Sequence, residues 1–251
     1  MSKRLEHFKG AEELVSRLED QMMMCQRQNR VIFTPFLSEG EGAVFSSLCG
    51  KLQPYASEGG YPSAQRRCYA FLPYEGCAAD FPICILYAEY DSRFQTLTHR
   101  DVLGACMHQG IEREQVGDII VDENRIYVAV TDAISSFLID QIKQIKRAPV
   151  SFERFEGTLD YQVKTEAKLL NVSALRMDAV VAAICHVSRS KAAALIRGGM
   201  VKVNDLPLEQ SSSLCHNNST VSIRGYGRFQ FIEVKNMTKK NRFVIEVKVY
   251  C

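Results

Sequence analysis

Apolar residues recur at intervals of three and four near the start of the chain. Leu14, Val15, Leu18 and Met22 line one side of a stretch from Gly10 to about Asn29, with Glu12, Glu13, Arg17 and Glu19 opposite. The spacing predicts an amphipathic helix. The Met22-Met23-Met24 run at its end reads as core packing rather than as an adaptable binding surface. A second helix is predicted after Ser38, which has Glu41 three residues on in the form of a capping box, followed by Val44, Phe45 and Leu48, with Gly50 as a stop. A turn-rich stretch, Glu58 to Ser63, leads through Arg66-Arg67 into a strand at Cys68 to Leu72, and Pro73 to Pro82 reads as a linker.

The middle of the chain alternates in type. Ile83 to Tyr90 reads as a strand, a helix starts at Thr98 and carries Val102, Leu103, Cys106 and Met107, and Ile119 to Val121 and Ile126 to Val130 are strands around Asp122-Glu123-Asn124. A helix follows through Ile134, Phe137, Leu138, Ile142 and Ile145, and Val150 to Phe155 is a last strand. Strand, helix, strand, strand, helix, strand is the split beta-alpha-beta order. It is shared by RNA-recognition modules, enzymes and ligand sensors, so it names no function. An RNA-recognition sheet also carries stacking aromatics on its central strands. Here only Tyr127, with Tyr87 as a companion, fits, and packing or a protein contact is the better reading of both.

From Leu175 the pattern is helix, turn, helix, strand, turn. Val180, Val181 and Ile184 lie at helical spacing, Ser188 is a good N-cap for a second short helix, and Gly198-Gly199 supplies a positive-φ stop. Met200 to Asp205 alternates like a strand and ends in an Asn-Asp turn. Val221 to Arg224, the segment to Phe231, and Phe243 to Tyr250 complete a small sheet.

Charge changes this picture. The 251 residues carry a net charge of +2, but from Ala174 on there are 12 Lys/Arg against 5 Asp/Glu, leaving 19 against 24 before it. The C-terminal part is therefore locally basic and suits an anionic partner. The nine cysteines form no C-x-x-C pair and follow no apolar signal segment, which favours reduced thiols in the cytoplasm, mostly as small buried hydrophobes. The five His residues do not fall at paired ligand spacing with any Cys, and no apolar run approaches the ~20 residues that cross a bilayer. No metal, cofactor or membrane partner is expected. His99-Arg100-Asp101 has the form of a kinase catalytic triplet, but that loop needs Asn where Cys106 stands; Thr98 with Asp101 is explained as a helix start.

Two resemblances sharpen the reading. Arg176-Met177-Asp178, Ser188-Arg189-Ser190-Lys191-Ala192 and Ile196-Arg197-Gly198-Gly199-Met200-Val201-Lys202-Val203-Asn204 resemble the S4 RNA-binding domain, departing from its usual pattern at Met177 and Asp205. Thr98 to Ala105 with Gly110 to Ile119 resembles the middle domain of the YlmH family, and Gly60-Tyr61-Pro62 to Arg67 is similar to that family's N-terminal region. The resemblance implies an α+β chain of three domains: a small alpha-beta domain over 1–79, an RRM-like βαββαβ (ferredoxin-like) domain over 80–165, and an S4 domain over 174–251. It also implies a bacterial factor of ribosome-associated quality control that holds peptidyl-tRNA on obstructed large subunits.

The expected function is non-catalytic binding of structured rRNA and tRNA at the large ribosomal subunit, by a monomer. Shape and phosphates would dominate recognition, because A-form helices hide their major-groove edges. Arg176, Ser188, Arg189 and Lys191 would hold the backbone, and Arg197, Lys202, Asn204, Arg224 and Arg228 would extend the footprint. Arg66 and Arg67 read either as a secondary RNA contact or as the solvated start of a strand. The competing classes are an RNA-modifying enzyme, since S4 units also accompany pseudouridine synthases and rRNA methyltransferases, and a protein-binding adaptor that docks through its acidic part. The machinery of the first, a catalytic Asp on a large synthase domain or a glycine-rich cofactor loop, is not evident ahead of Leu175.

Overall fold

The computed structural model describes residues 11–93 and 95–250. The expected helix start at Gly10 and the outer ends of the first and last expected domains lie outside the described residues. The chain divides into two compact units, Glu12–Tyr161 and the part that begins at Gln162.

In the first unit, α1 (Glu12–Gln28) and α2 (Glu39–Cys49) cover a three-stranded antiparallel sheet of β1 (Ile32–Leu37), β2 (Tyr55–Glu58) and β3 (Arg67–Phe71), in the order β1-β3-β2. The predicted capping box starts α2: Glu41 N–H donates to Ser38 Oγ at 3.4 Å, and Ser38 N–H to the Glu41 carboxylate at 2.7 Å. Leu18, Cys25, Leu37, Phe45, Leu48 and Phe71 make the core. Met22 packs against it, but Met23 and Met24 are 40% and 41% exposed. Consecutive helical residues fan out by ~100°, so three methionines in a row cannot share one face.

The same unit continues with β4 (Ile83–Glu89), α3 (His99–His108), β5 (Val116–Asp122), β6 (Arg125–Thr131), α4 (Asp132–Gln141), a short hairpin of β7 (Gln144–Ile145) and β8 (Ala148–Pro149), and β9 (Glu153–Arg154). The sheet order is β5-β6-β4-β9, antiparallel throughout. Helix α4 ends at Gln141 and does not run on to Ile145 as the spacing suggested. The chain instead turns back at Lys146 (φ 53°), and Ile142, at the end of α4, and Ile145, in β7, both reach the core.

One face of this sheet, through Leu86, Ile126, Val128 and Val130, packs in the same core as Val102 of α3 and Leu138 of α4. The other face is covered by the N-terminal part of the unit. Phe36 and Cys68 pack on Ala129, and Tyr61 and Ala64 pack with Ile85, Ile120 and Leu159. A Cβ on Gly117 would lie 2.6 Å from the Phe36 ring, so this approach requires glycine. The boundary expected near residue 80 thus lies inside one unit, which Asp118 also ties together. Its carboxylate accepts bonds from Tyr61 Oη (2.8 Å), Gln65 N (2.6 Å) and Arg66 N (3.1 Å).

The second unit holds β10 (Thr165–Val172), α5 (Met177–Cys185), α6 (Arg189–Arg197), β11 (Val201–Val203), β12 (Leu206–Pro207), β13 (Thr220–Ile223), β14 (Gly227–Met237) and β15 (Phe243–Tyr250). Its antiparallel sheet runs β10-β15-β14-β13-β11-β12. Helices α5 and α6 meet at 109°, with His186 left-handed (φ 53°) between them. The apolar side of the pair buries Val180, Val181, Ile184 and Ile196 with Val201, Val221, Phe231 and Ile245 of the sheet. Strand β10 precedes the expected start at 174, so the unit is longer than the motif alone indicates.

Candidate nucleic-acid interface

The start of α6 is built as the sequence predicts. Ser188 has extended backbone angles (φ −67°, ψ 153°), and its Oγ accepts Lys191 N–H at 3.2 Å. Other first-turn amides of such a helix have no intrahelical acceptor and face outward, where the positive end of the helix dipole favours an anion. The far end closes on Gly199 (φ 67°), with Met200 N–H bonded to Leu195 O at 3.0 Å. A single-turn cap at each end fixes the direction in which Lys191 and Arg197, both exposed, leave the helix.

Arg176 and Arg189 are arranged differently from the expectation of free outer-face cations. Both guanidiniums reach the carboxylate of Asp178 in the first turn of α5, at 3.2 and 2.7 Å from Oδ2. The Asp178 side chain is only 9% exposed, while the two arginines stay 44% and 49% exposed. Burial pushes this carboxyl up, but the Arg189 bond, the charges of Arg189 and Arg176 and the Ala179 amide together hold it below the ordinary carboxylate range. Asp178 is therefore more than a helix-start residue. It pins the two arginines across the α5–α6 junction and leaves their outer edges to solvent.

The remaining candidates separate into open cations and turn residues. Lys202 on β11 and Arg224 after β13 are exposed, and Arg224 N–H bonds Met200 O at 2.8 Å, which sets the end of α6 beside the β13–β14 turn. Asn204 is left-handed (φ 49°), and its Oδ1 accepts Thr220 N–H at 2.8 Å. Its side-chain oxygen thereby also holds the turn, while the residue stays exposed. Arg228 is half-buried, with its guanidinium 5.3 Å from the centre of the Tyr250 ring.

Arg66 and Arg67 do not serve as the open contacts considered for them. Arg66 Nη2 donates to Phe36 O at 2.7 Å and its Nε to Val116 O at 3.3 Å, while Arg67 donates to Ala64 O, Pro62 O and Ser57 Oγ. Phe36 belongs to β1 and Val116 to β5, so Arg66 ties the N-terminal and middle parts together, while Arg67 braces the β2–β3 connection. Tyr87 and Tyr127 are cross-strand partners whose rings meet at 5.2 Å, and Phe155 packs on both, at 5.9 and 5.3 Å. The three rings pack on one another, as the packing reading expected, and each stays half-buried. The role of Asp118 carried no signal in the sequence because its partners lie more than 50 residues away, and that of Asp178 because it depends on how α5 and α6 cross. Among the described residues no three His, Cys, Asp or Glu side chains gather to hold a metal ion, and no single helix is long and apolar enough to cross a membrane.

The fold and this site define a mixed α/β chain whose second unit offers a cationic surface around two short helices. Residues 77–158, in the first unit, match the family model described as "Putative RNA-binding domain in YlmH". The chain is 29% identical to "Ribosome-associated protein quality control protein P2" of Bacillus subtilis (strain 168), over 97% of each. The solved structure of "Cell division protein ylmH from Streptococcus pneumoniae" is similar with a TM-score of 0.50 and 26% identity, covering 58% of this chain and 90% of that one. The resemblance to the YlmH family read in the sequence thus extends over nearly the whole chain.

Proposed function

We propose that this protein binds structured RNA of the large ribosomal subunit and tRNA through its second unit, as an S4-type module, and does no chemistry on it. The observation that carries the reading is the set of exposed cations without ion pairs that follows the capped start of α6: Lys191, Arg197, Lys202 and Arg224. Such a set neutralises phosphates without having to break internal bonds first. The relative named for ribosome-associated quality control supports a ribosomal setting, and with it the cytoplasm. The RRM-like order of the middle part supports a positioning role, since its sheet aromatics Tyr87 and Tyr127 are engaged with each other and with Phe155.

The test uses the full chain with Lys191→Ala, Arg197→Ala and Lys202→Ala combined. Binding to large-subunit rRNA is measured at two salt concentrations. Wild type should lose affinity with a log–log slope of about −0.7 to −0.9 per phosphate contact, and the triple variant should be shallower by about 2 to 3. An unchanged slope would refute the reading. An adaptor role is favoured by one observation, the acidity of the segment matched by the family model, 13 Asp/Glu against 8 Lys/Arg over 77–158. A basic ribosomal protein retained by the triple variant would identify it.

A further inference from the structure

The β14–β15 turn carries cations that the motif reading left aside. Lys239, Lys240 and Arg242 are all exposed and hold no ion pair, in contrast to Lys235 four residues earlier, which is bonded to Glu233 and Glu246 at 2.6 Å each. The turn is preformed. Thr238 N–H donates to Arg242 O at 2.8 Å, Arg242 N–H to Thr238 Oγ1 at 3.1 Å and Asn241 N–H to Thr238 O at 3.0 Å, with Asn241 left-handed (φ 55°). Thr238, Lys239, Lys240 and Arg242 line a recess of about 430 Å³ with Asn171 of β10.

Topology places this recess. Asn171 and Val172 pair with Val244 and Phe243, so the turn sits at the end of β10 from which the chain leaves for α5. Arg176 is only four residues beyond Val172, a reach of at most ~14 Å. From Arg176 the cations continue across Asp178 to Arg189 and Lys191, then along α6 to Arg197, Lys202 and Arg224. Arg224 lies by the β13–β14 turn, at the opposite end of β14 from Lys239, and an 11-residue strand spans roughly 35 Å. Cations thus lie at both ends of the unit and around the helix starts that connect them.

We propose that the β14–β15 turn is a second phosphate-binding point, so that the unit grips a duplex RNA backbone over roughly 35 Å, about one turn of an A-form helix, rather than at α6 alone. This rests on the RNA-binding reading above. The test uses the full chain, wild type and Lys239→Ala/Lys240→Ala/Arg242→Ala, with Lys240→Glu as a second variant, on RNA hairpins of roughly six and roughly sixteen base pairs. The triple variant should bind the long hairpin about tenfold or more weakly, with a salt slope shallower by about 2, and bind the short one like wild type. Lys240→Glu should follow the same pattern, and melting temperatures should match wild type. Wild-type affinity of both variants for the long hairpin overturns the proposal while leaving the α6 reading intact. Equal losses on both hairpins also overturn it, since the turn would then belong to one compact site. If wild type binds neither hairpin, the RNA reading falls and this proposal with it.

Discussion

The segments 12–161 and 162–251 carry the same number of cations, 14 Lys and Arg each, yet the first sets 22 Asp and Glu against them and the second only 6. In the first unit half of the cations are turned inward or paired, while Arg27, Lys51, Arg100, Arg125 and Arg147 stay exposed among the more numerous carboxylates. Arg66, Arg67 and Arg113 donate to backbone carbonyls, and Arg17, Arg93, Lys146 and Arg154 hold carboxylates. Burial, with the Arg66 charge beside it, brings Arg113 down to about 10. In the second unit Lys191, Arg197, Lys202, Arg224, Lys239, Lys240 and Arg242 have no such partner. The difference teaches that counting cations does not locate a phosphate surface. What matters is how many carboxylates share the surface with them, 22 in the first segment against 6 in the second.

The largest effect expected from this contrast is in RNA binding by the separated units. The fragment 162–251 should keep most of the affinity of the whole chain for rRNA, and the fragment 12–161 should bind at least about a hundredfold more weakly at moderate salt. The cut must precede β10, because a fragment starting at 174 would lack the strand that pairs with β15. Comparable binding by 12–161 would dissolve the comparison.

Much of this was legible along the chain, and what was not has identifiable causes. The capping box at Ser38, the cap at Ser188, the Gly199 stop and the strand-helix order of residues 83–155 all rest on interactions within a few residues, which local spacing reports. Strand β1 was hidden by Pro35, which sits at a bulge on an edge strand, where its missing N–H costs little. Strands β2 and β10 are edge strands, the first of half-buried small and polar residues and the second mostly solvated, so they show no apolar alternation. In the candidate site, the exposure of Lys191 and Arg197 followed from helical phase. The capture of Arg176 and Arg189 by Asp178 did not, since it depends on how α5 and α6 cross.

A second prediction addresses the integrity of the first unit. Gly117→Ala would place a Cβ against Phe36 and Ala129, at 2.6 and 3.0 Å, where β5 meets the N-terminal part. Overpacking of this kind costs about 1–3 kcal/mol. Urea unfolding of 12–161 should report that loss, while the RNA affinity of the whole chain stays at the wild-type value. A parallel loss of affinity would mean that the first unit holds the RNA after all.

Smaller and more discriminating is the comparison of two neighbouring cations. Arg189→Ala and Lys191→Ala should each weaken RNA binding, a charge-assisted bond to phosphate contributing roughly 1.5–3 kcal/mol. Only Arg189→Ala should also lower stability, by about 1 kcal/mol, because it strips a buried carboxylate of its shorter bond. Lys191→Ala should stay within about 0.5 kcal/mol. If chemical denaturation finds the two equally stable, Asp178 does not need Arg189 to stay buried.

The smallest effect separates the structural use of Arg176 and Arg189 from their use toward phosphate. The Asp178 carboxyl is held below its ordinary range in the fold, so its charged form favours folding. That contribution is present above the unfolded value of about 3.9 and is lost as pH falls through the lower folded value. Asp178→Asn keeps the shape and removes the charge. The variant should unfold at lower urea than wild type at pH 7, and the gap should narrow as pH drops below about 4, because wild type then loses the same charge. At pH 7 the variant also releases both guanidiniums from their carboxylate, so its RNA affinity should equal or exceed that of wild type. A gap that stays constant down to strongly acidic pH would show that packing, not charge, holds the α5–α6 junction. A fall in RNA affinity at unchanged stability would show that phosphate needs the two arginines held where Asp178 puts them.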